Sequence, residues 1–196
     1  MWAEALTHNP QAFTAAWKLA RANYWLGGHA RQQERRAYLE TGVEAGRTAT
    51  RLERERPEGY FWMAANMGAL AESHGVMTGL RYRKPIKEAL ETVLRLNPAF
   101  QDGSADRALG RWYFKVPALL AGSNARAEWH LRASLKHDPN STVSHFFLAE
   151  LLLDEDREGE ARTALQKVLD APVNPEWVPE DLVYKDKARS LLQTLE

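Results

Sequence analysis

Apolar and small residues recur every three or four positions along most of this chain, and short polar runs ending in proline interrupt them. His8-Asn9-Pro10, Glu55-Arg56-Pro57, Leu96-Asn97-Pro98, His137-Asp138-Pro139 and Asp170-Ala171-Pro172 are those runs, and the last three intervals are 41, 41 and 33 residues. A three-to-four spacing marks helices with one buried face. Proline closes such helices because it has no amide proton and clashes with a preceding turn. Between the prolines the pattern reads helix, loop, helix, and no segment shows a convincing period of two. A fixed period of this size predicts stacked helical repeats.

The tetratricopeptide pattern, with Trp, Leu-Gly and Tyr on one helix, Ala and Phe on the next and then Pro, can be laid down four times. The copies span roughly 11–57, 58–98, 99–139 and 140–172. Trp17, Ala20 and Tyr24 lead the first; Trp62, Ala65 and Ala69 the second; Leu109, Gly110 and Tyr113 the third; Leu148, Ala149 and Leu152 the fourth. Gly110 and Ala149 are small enough to let two helices approach closely. The distance between the paired small positions grows from 12 residues in the fourth copy to 24 in the first. That growth predicts insertions at the hairpin tips, covering 75–84 in the second copy and 116–122 in the third. Residues 1–10 read as the tail of a preceding second helix. Pro179 followed by Leu182, Ala188, Leu191, Leu192 and Leu195 predicts a capping helix over 178–195. The expected fold is an all-α, tetratricopeptide-like α-solenoid, organised as one domain of about four hairpins with extended hairpin loops and a C-terminal capping helix.

Three segments carry a more specific likeness. They are Glu58-Gly59-Tyr60-Phe61-Trp62-Met63-Ala64-Ala65-Asn66-Met67-Gly68, then Leu96-Asn97-Pro98, then Arg107-Ala108-Leu109-Gly110-Arg111-Trp112-Tyr113 followed by Pro117 and Gly122-Ser123. On these the chain resembles the T-component (TatT) family associated with tripartite ATP-independent periplasmic (TRAP) transporters. The regulators of microtubule dynamics share the same helical layout and a similar Leu-Gly-Arg-Trp segment. The TatT resemblance implies a periplasmic, non-enzymatic protein that docks a solute-binding subunit and holds an apolar small molecule, with homo-oligomers known in the family. The alternatives are a general tetratricopeptide adaptor that binds peptides during protein assembly, and a cytoplasmic location.

Projecting the repeats onto such a fold places a set of residues on the inner, groove-facing side. These are Trp25 with Lys18 and Ala22; Tyr60, Met63, Met67 and Leu70; Arg107, Arg111 and Phe114; and Phe146, Glu150 and Leu153. The wall is largely apolar with few polar groups, which suits a ligand or partner site, and methionine adapts to irregular ligands. The same residues would serve equally as core beneath the hairpin tips or the capping helix. Trp62 and Trp112 read as core. Arg107 and Arg111 lie one turn apart and could grip a carboxylate together, or bridge to Glu150. Arg81, Arg83, Lys84 and Lys87 read as a basic, solvated tip whose functional reading is an acidic partner or lipid headgroups. The acidic run between Glu150 and Glu160 reads as an exposed turn.

Composition narrows the function classes. Lys and Arg total 26 and so do Asp and Glu, which gives no basic excess for nucleic acid. There is no cysteine, hence no disulfide, thiolate nucleophile or Cys-ligated zinc. No run approaches the roughly 20 apolar residues of a membrane span, and the opening Met1-Trp2-Ala3-Glu4 has no basic or apolar leader pattern. The six histidines show no metal-ligand spacing, and His145 reads as a satisfied groove or core residue. No phosphate loop, dinucleotide fingerprint or nucleophile elbow occurs, so no catalytic residue, metal or cofactor is assigned. Ser123, after Gly122, reads as a helix N-cap.

Overall fold

The asparagine–proline rhythm has a simple local cause. The amides of Gln11, Ala99 and Asn140 donate to Asn9 Oδ1, Asn97 Oδ1 and Asp138 Oδ1 at 3.1, 3.1 and 3.0 Å. Each of these Asn or Asp residues is an extended C-cap, so one side chain ends a helix and turns the chain across the following proline. Asn174, ahead of Pro175, makes the same turn by accepting from the Glu176 amide at 2.9 Å. Pro57 and Pro179 work in the opposite sense, sitting in the first turn of the helices they open.

The computed structural model describes residues 1–195. Ten α-helices occur among them, with one 3-10 turn at Ala118–Leu120 and no strand. They are α1 (Trp2–His8), α2 (Phe13–His29), α3 (Gln32–Leu52), α4 (Pro57–Ser73), α5 (Gly75–Leu96), α6 (Ser104–Lys115), α7 (Asn124–His137), α8 (Thr142–Asp154), α9 (Glu158–Asp170) and α10 (Val178–Gln193). The all-α, tetratricopeptide-like class expected from the pattern is the class found. Contacts group the chain into two compact units, Met1–Phe100 and Gln101 onward.

In the first unit the hairpins α2–α3 and α4–α5 pack side by side, with α1 against α2. Leu6 of α1 joins Phe13, Ala16, Trp17, Ala49 and Leu52 in one apolar cluster. Helices α3 and α4 run very close together: a Cβ on Gly46 would stand 2.8 Å from the Cα of Met63. Trp62 is buried, as its place in the repeat predicts. Asn66 is buried beside it and donates from Nδ2 to the carbonyls of Ala20 and Trp62 at 2.9 and 2.7 Å, which ties α4 to α2.

The extended loops expected in the first two hairpins are instead longer helices. Only Ala30 and Arg31 separate α2 from α3, and only His74 separates α4 from α5. Residues 75–84 are the first turns of α5, and the basic residues placed on a loop lie on that helix. Gly75 at φ +80 makes the sharp turn that lets one helix follow the other almost directly. In the third hairpin the expected loop is present: residues 116–122 carry the 3-10 turn.

In the second unit α6–α7 and α8–α9 are the hairpins, and α10 packs on α8 and α9. A Cβ on Gly110 would meet Leu131 Cγ at 2.6 Å, so the close α6–α7 approach requires that glycine. Trp112 is buried. Ser123 caps α7 by accepting from the Arg126 amide at 3.3 Å.

Candidate functional site

The groove residues of the first unit split between surface and interior. Trp25 is exposed near the end of α2 and stacks on His29 with ring centroids 4.2 Å apart. Tyr60 and Met63 are half-buried. Met67 and Leu70 are each only 1% exposed, which corrects their placement on an open wall. They fall on the α4 face shared with Ala64, Asn66 and Phe61, and that face is packed interior.

The second unit brings its predicted residues together. Arg107, Arg111 and Phe114 are spaced i, i+4, i+7 on α6, and Phe146, Glu150 and Leu153 repeat that spacing on α8, so each trio shares a helix face. Phe114, Phe146, Glu150 and Leu153 line one cleft of about 890 Å³. Its other wall is α10, which contributes Val183, Asp186, Lys187, Ser190 and Leu191, with Thr194 at its C-cap. The sequence pattern offers the capping helix as a cover for these residues but does not single out its cleft-facing side chains, although Val183, Lys187 and Leu191 stand four residues apart on one helix face. Arg107 is half-buried one turn before Arg111.

Arg111 makes the bridge offered as one of its two readings. Its Nη1 donates to Glu150 Oε2 at 2.5 Å, and the guanidinium lies 4.5 Å from the Phe147 ring centroid. The neighbouring ring of Phe146 leans against Tyr184 of α10 at 5.4 Å, and Phe147 meets Tyr184 edge-on at 5.8 Å. Aromatic contacts of this kind fix side-chain directions as well as burying area.

Buried polar residues seat α10. Asp181 accepts from Thr142 Oγ1 at 2.6 Å and from the Asn174 amide at 2.8 Å. Lys185 is buried and donates from Nζ to the carbonyls of Leu169 and Ala171 at 2.6 and 2.5 Å, so its ammonium caps the C-terminal end of α9. The expected apolar stripe is only partly present: Ala188 is buried, whereas Leu182 is 49% exposed.

The carboxylates around the cleft are committed within the protein, while Lys115 and Lys187 lie over the rings of Phe114 and Tyr184. Glu150 is held by Arg111, Asp154 accepts from Asn124 Nδ2 at 3.1 Å, and Asp186 pairs with Arg189. Farther along the acidic turn, Arg157 binds Glu128, Glu155 and Glu160. Its hydrogen bonds are the main reason the Glu128 carboxyl lies below the usual carboxylate range. The turn is therefore an ion-pair network centred on Arg157 that keeps a net negative charge. His145 is buried and its Nε2 meets the Pro139 carbonyl at 2.9 Å, while Nδ1 is buried without a partner. Burial pushes its pKa down. No group of three or more metal-ligating side chains occurs among the described residues, and none of their helices is long and apolar enough to cross a membrane.

With this geometry in view, residues 1–131 match the family described as Regulator of microtubule dynamics protein 1-3. The chain belongs to that family. The family match takes in Phe114 and the Leu109-Gly110-Arg111-Trp112 segment, and stops before Phe146, Glu150 and α10. No curated protein sequence matches the chain. Two solved structures show the repeat architecture. A thermophilic TPR protein of Thermus thermophilus superposes with a TM-score of 0.73 at 25% identity, over 98% of this chain and 87% of its own. MamA superposes with a TM-score of 0.58 at 13% identity, over 96% of this chain and 87% of its own. This member of the regulator of microtubule dynamics family is thus built on tetratricopeptide-like hairpins.

Proposed function

We propose that this protein is a non-enzymatic scaffold that binds a partner protein by taking an extended or helical segment into the cleft between α8 and α10. The supporting observation is the continuity of Phe114, Phe146, Leu153, Val183 and Leu191 around one hollow, with the neighbouring carboxylates already paired. A site of that kind recognises apolar side chains, and Lys115 and Lys187 on its lining favour a segment that also carries a carboxylate. The tetratricopeptide-like fold supports a protein partner. The family description suggests that such a partner acts on microtubule dynamics.

A second reading has support of its own. The aromatic and aliphatic residues of this open cleft, Phe114, Phe146, Leu153, Val183 and Leu191, suit an apolar small molecule. The narrower TatT-type role, docking a periplasmic solute-binding subunit, draws on the sequence likeness at 58–68 and 107–113.

Peptides selected from a displayed random library against the purified protein provide the test. Their affinity, read by fluorescence anisotropy, is expected to fall at least tenfold on Leu153→Glu and on Val183→Glu. Unchanged affinity in both variants would place binding elsewhere. Displacement of a selected peptide by a fluorescent fatty acid would support the second reading.

A further inference from the structure

Apart from Met1 at the chain start, the most exposed apolar side chains of the first unit gather where its hairpins turn. Val76, Met77 and Leu80, in the first turns of α5, are 80%, 79% and 44% exposed. Trp25 and Leu26, near the end of α2, are 47% and 38% exposed. The close contacts of α3 and α4 give the register that places these segments at one end. Gly42 lies against Asn66 and Gly46 against Met63, so the two helices run antiparallel and Ser73 comes level with Arg35. Gly27 lies against Leu39 across the two-residue α2–α3 turn, so α2 runs parallel to α4, and the Asn66 bond to Ala20 sets their level, which makes the α2–α3 and α4–α5 turns neighbours.

Cations cluster at this same end. Arg31, Arg35 and Arg36 open α3, and Arg81, Arg83, Lys84 and Lys87 follow the apolar residues of α5. Within 24–36 and 72–87 seven lysines and arginines stand against two carboxylates, Glu34 and Glu72, in a chain whose net charge is zero. The partners of Arg36, Lys84 and Lys87 are Glu40, Glu88 and Glu91, each a turn farther from the tip. Three of the acids therefore lie behind their bases, Glu34 pairs with Arg31 at the α2–α3 turn, and cations outnumber carboxylates at this end.

We propose that this tip docks on an anionic lipid surface. Val76, Met77 and Leu80 enter the headgroup layer, Trp25 sits at its level, and Arg81 and Lys84 face the lipid phosphates. Two features favour lipid over an acidic protein. The aliphatic side chains protrude from a turn instead of lining a hollow, whereas protein hot spots are aromatic or arginine anchors seated in pockets. Protruding aliphatic residues followed directly by cations have the amphipathic composition of an interfacial segment. None of these residues lines the α8–α10 cleft, so substitutions at the tip test the lipid contact without touching the peptide site.

Co-sedimentation of the purified protein with phosphatidylcholine vesicles, with and without phosphatidylserine, tests this. Association is expected with the phosphatidylserine vesicles only, declining as salt rises. Val76→Glu/Met77→Glu and Arg81→Glu/Lys84→Glu should each reduce partitioning by about tenfold or more, since each cation near an anionic surface contributes about fivefold. All four side chains are exposed, so helical circular dichroism should not change. No association at low salt, equal association with both vesicle types, or full association of both variants would overturn the proposal. Retention on polyglutamate without retention on phosphatidylserine vesicles would also overturn it, in favour of an acidic protein partner.

Discussion

Thr142 Oγ1 donates to Asp181 Oδ1 at 2.6 Å, and this bond joins the first turn of α8 to the first turn of α10. Both residues are buried. Together with Lys185 on the carbonyls of Leu169 and Ala171, it determines where one wall of the cleft stands.

Removing either anchor should therefore loosen the wall. Asp181→Ala leaves the Thr142 hydroxyl and the Asn174 amide without their acceptor, and Lys185→Met leaves two helix-end carbonyls without a donor. Each is expected to cost about 1–3 kcal/mol, the usual penalty for orphaning buried polar groups. Urea denaturation measures the loss. Faster amide exchange in α10 should accompany it, with α2–α5 unchanged.

Arg111 and Glu150 form a partly exposed pair, so their mutual energy should be modest. A double-mutant cycle with Arg111→Ala and Glu150→Ala is expected to give a coupling of about 0.5–1 kcal/mol. Arg111→Ala should be the costlier single change, because it also removes the contact over the Phe147 ring.

The first unit depends on close helix packing at Gly46 and on the Asn66 clamp. Gly46→Ala drives a methyl into the Met63 backbone and is expected to cost about 1–3 kcal/mol through forced separation of α3 and α4. Asn66→Leu removes the tie to Ala20 and should cost about as much. Trp62→Ala, at a buried ring, should cost about 3–5 kcal/mol. Thermal or urea unfolding of each variant checks the ranking.

His145 gives a pH dependence of definite sign. Its Nε2–H serves the Pro139 carbonyl, and burial holds the ring pKa below the ordinary histidine value. The unfolded chain therefore takes up protons first as the pH falls through about 6.5. The stabilisation from keeping this ring neutral is complete above that pH and is lost below it, until the folded ring also titrates. His145→Gln, which keeps a donor for Pro139, should flatten the dependence of the urea midpoint between about pH 7.5 and 5.5. An NMR titration of the ring in the native protein should show a midpoint below that of free histidine.

The parts of this structure legible in the sequence are those with a local cause. Asn9, Asn97 and Asp138 end helices through their own side chains, Ser123 caps α7, and Trp62 and Trp112 sit where the repeat buries them. Arg111 and Glu150 carried the bridge as one of two readings. Residues 75–84 read as a loop because the repeat pattern leaves no place for them in its two helices. The long partner helix α4 and the turn at Gly75 let them continue as helix. Asp181 and Lys185 escaped notice because charged residues usually mark the solvent face. Here the α9 carbonyls and the Thr142 hydroxyl satisfy them in the interior, and that contact exists only once the helices have packed. The α10 half of the cleft was hidden for the same reason, since its position follows from those anchors.

Amide NMR of the labelled protein, titrated with a library-selected peptide, tests the central claim most directly. The account predicts saturable shifts centred on Phe114, Glu150, Leu153, Val183 and Leu191, abolished in Leu153→Glu. Shifts confined to other surfaces, or shifts that persist in that variant, would contradict it.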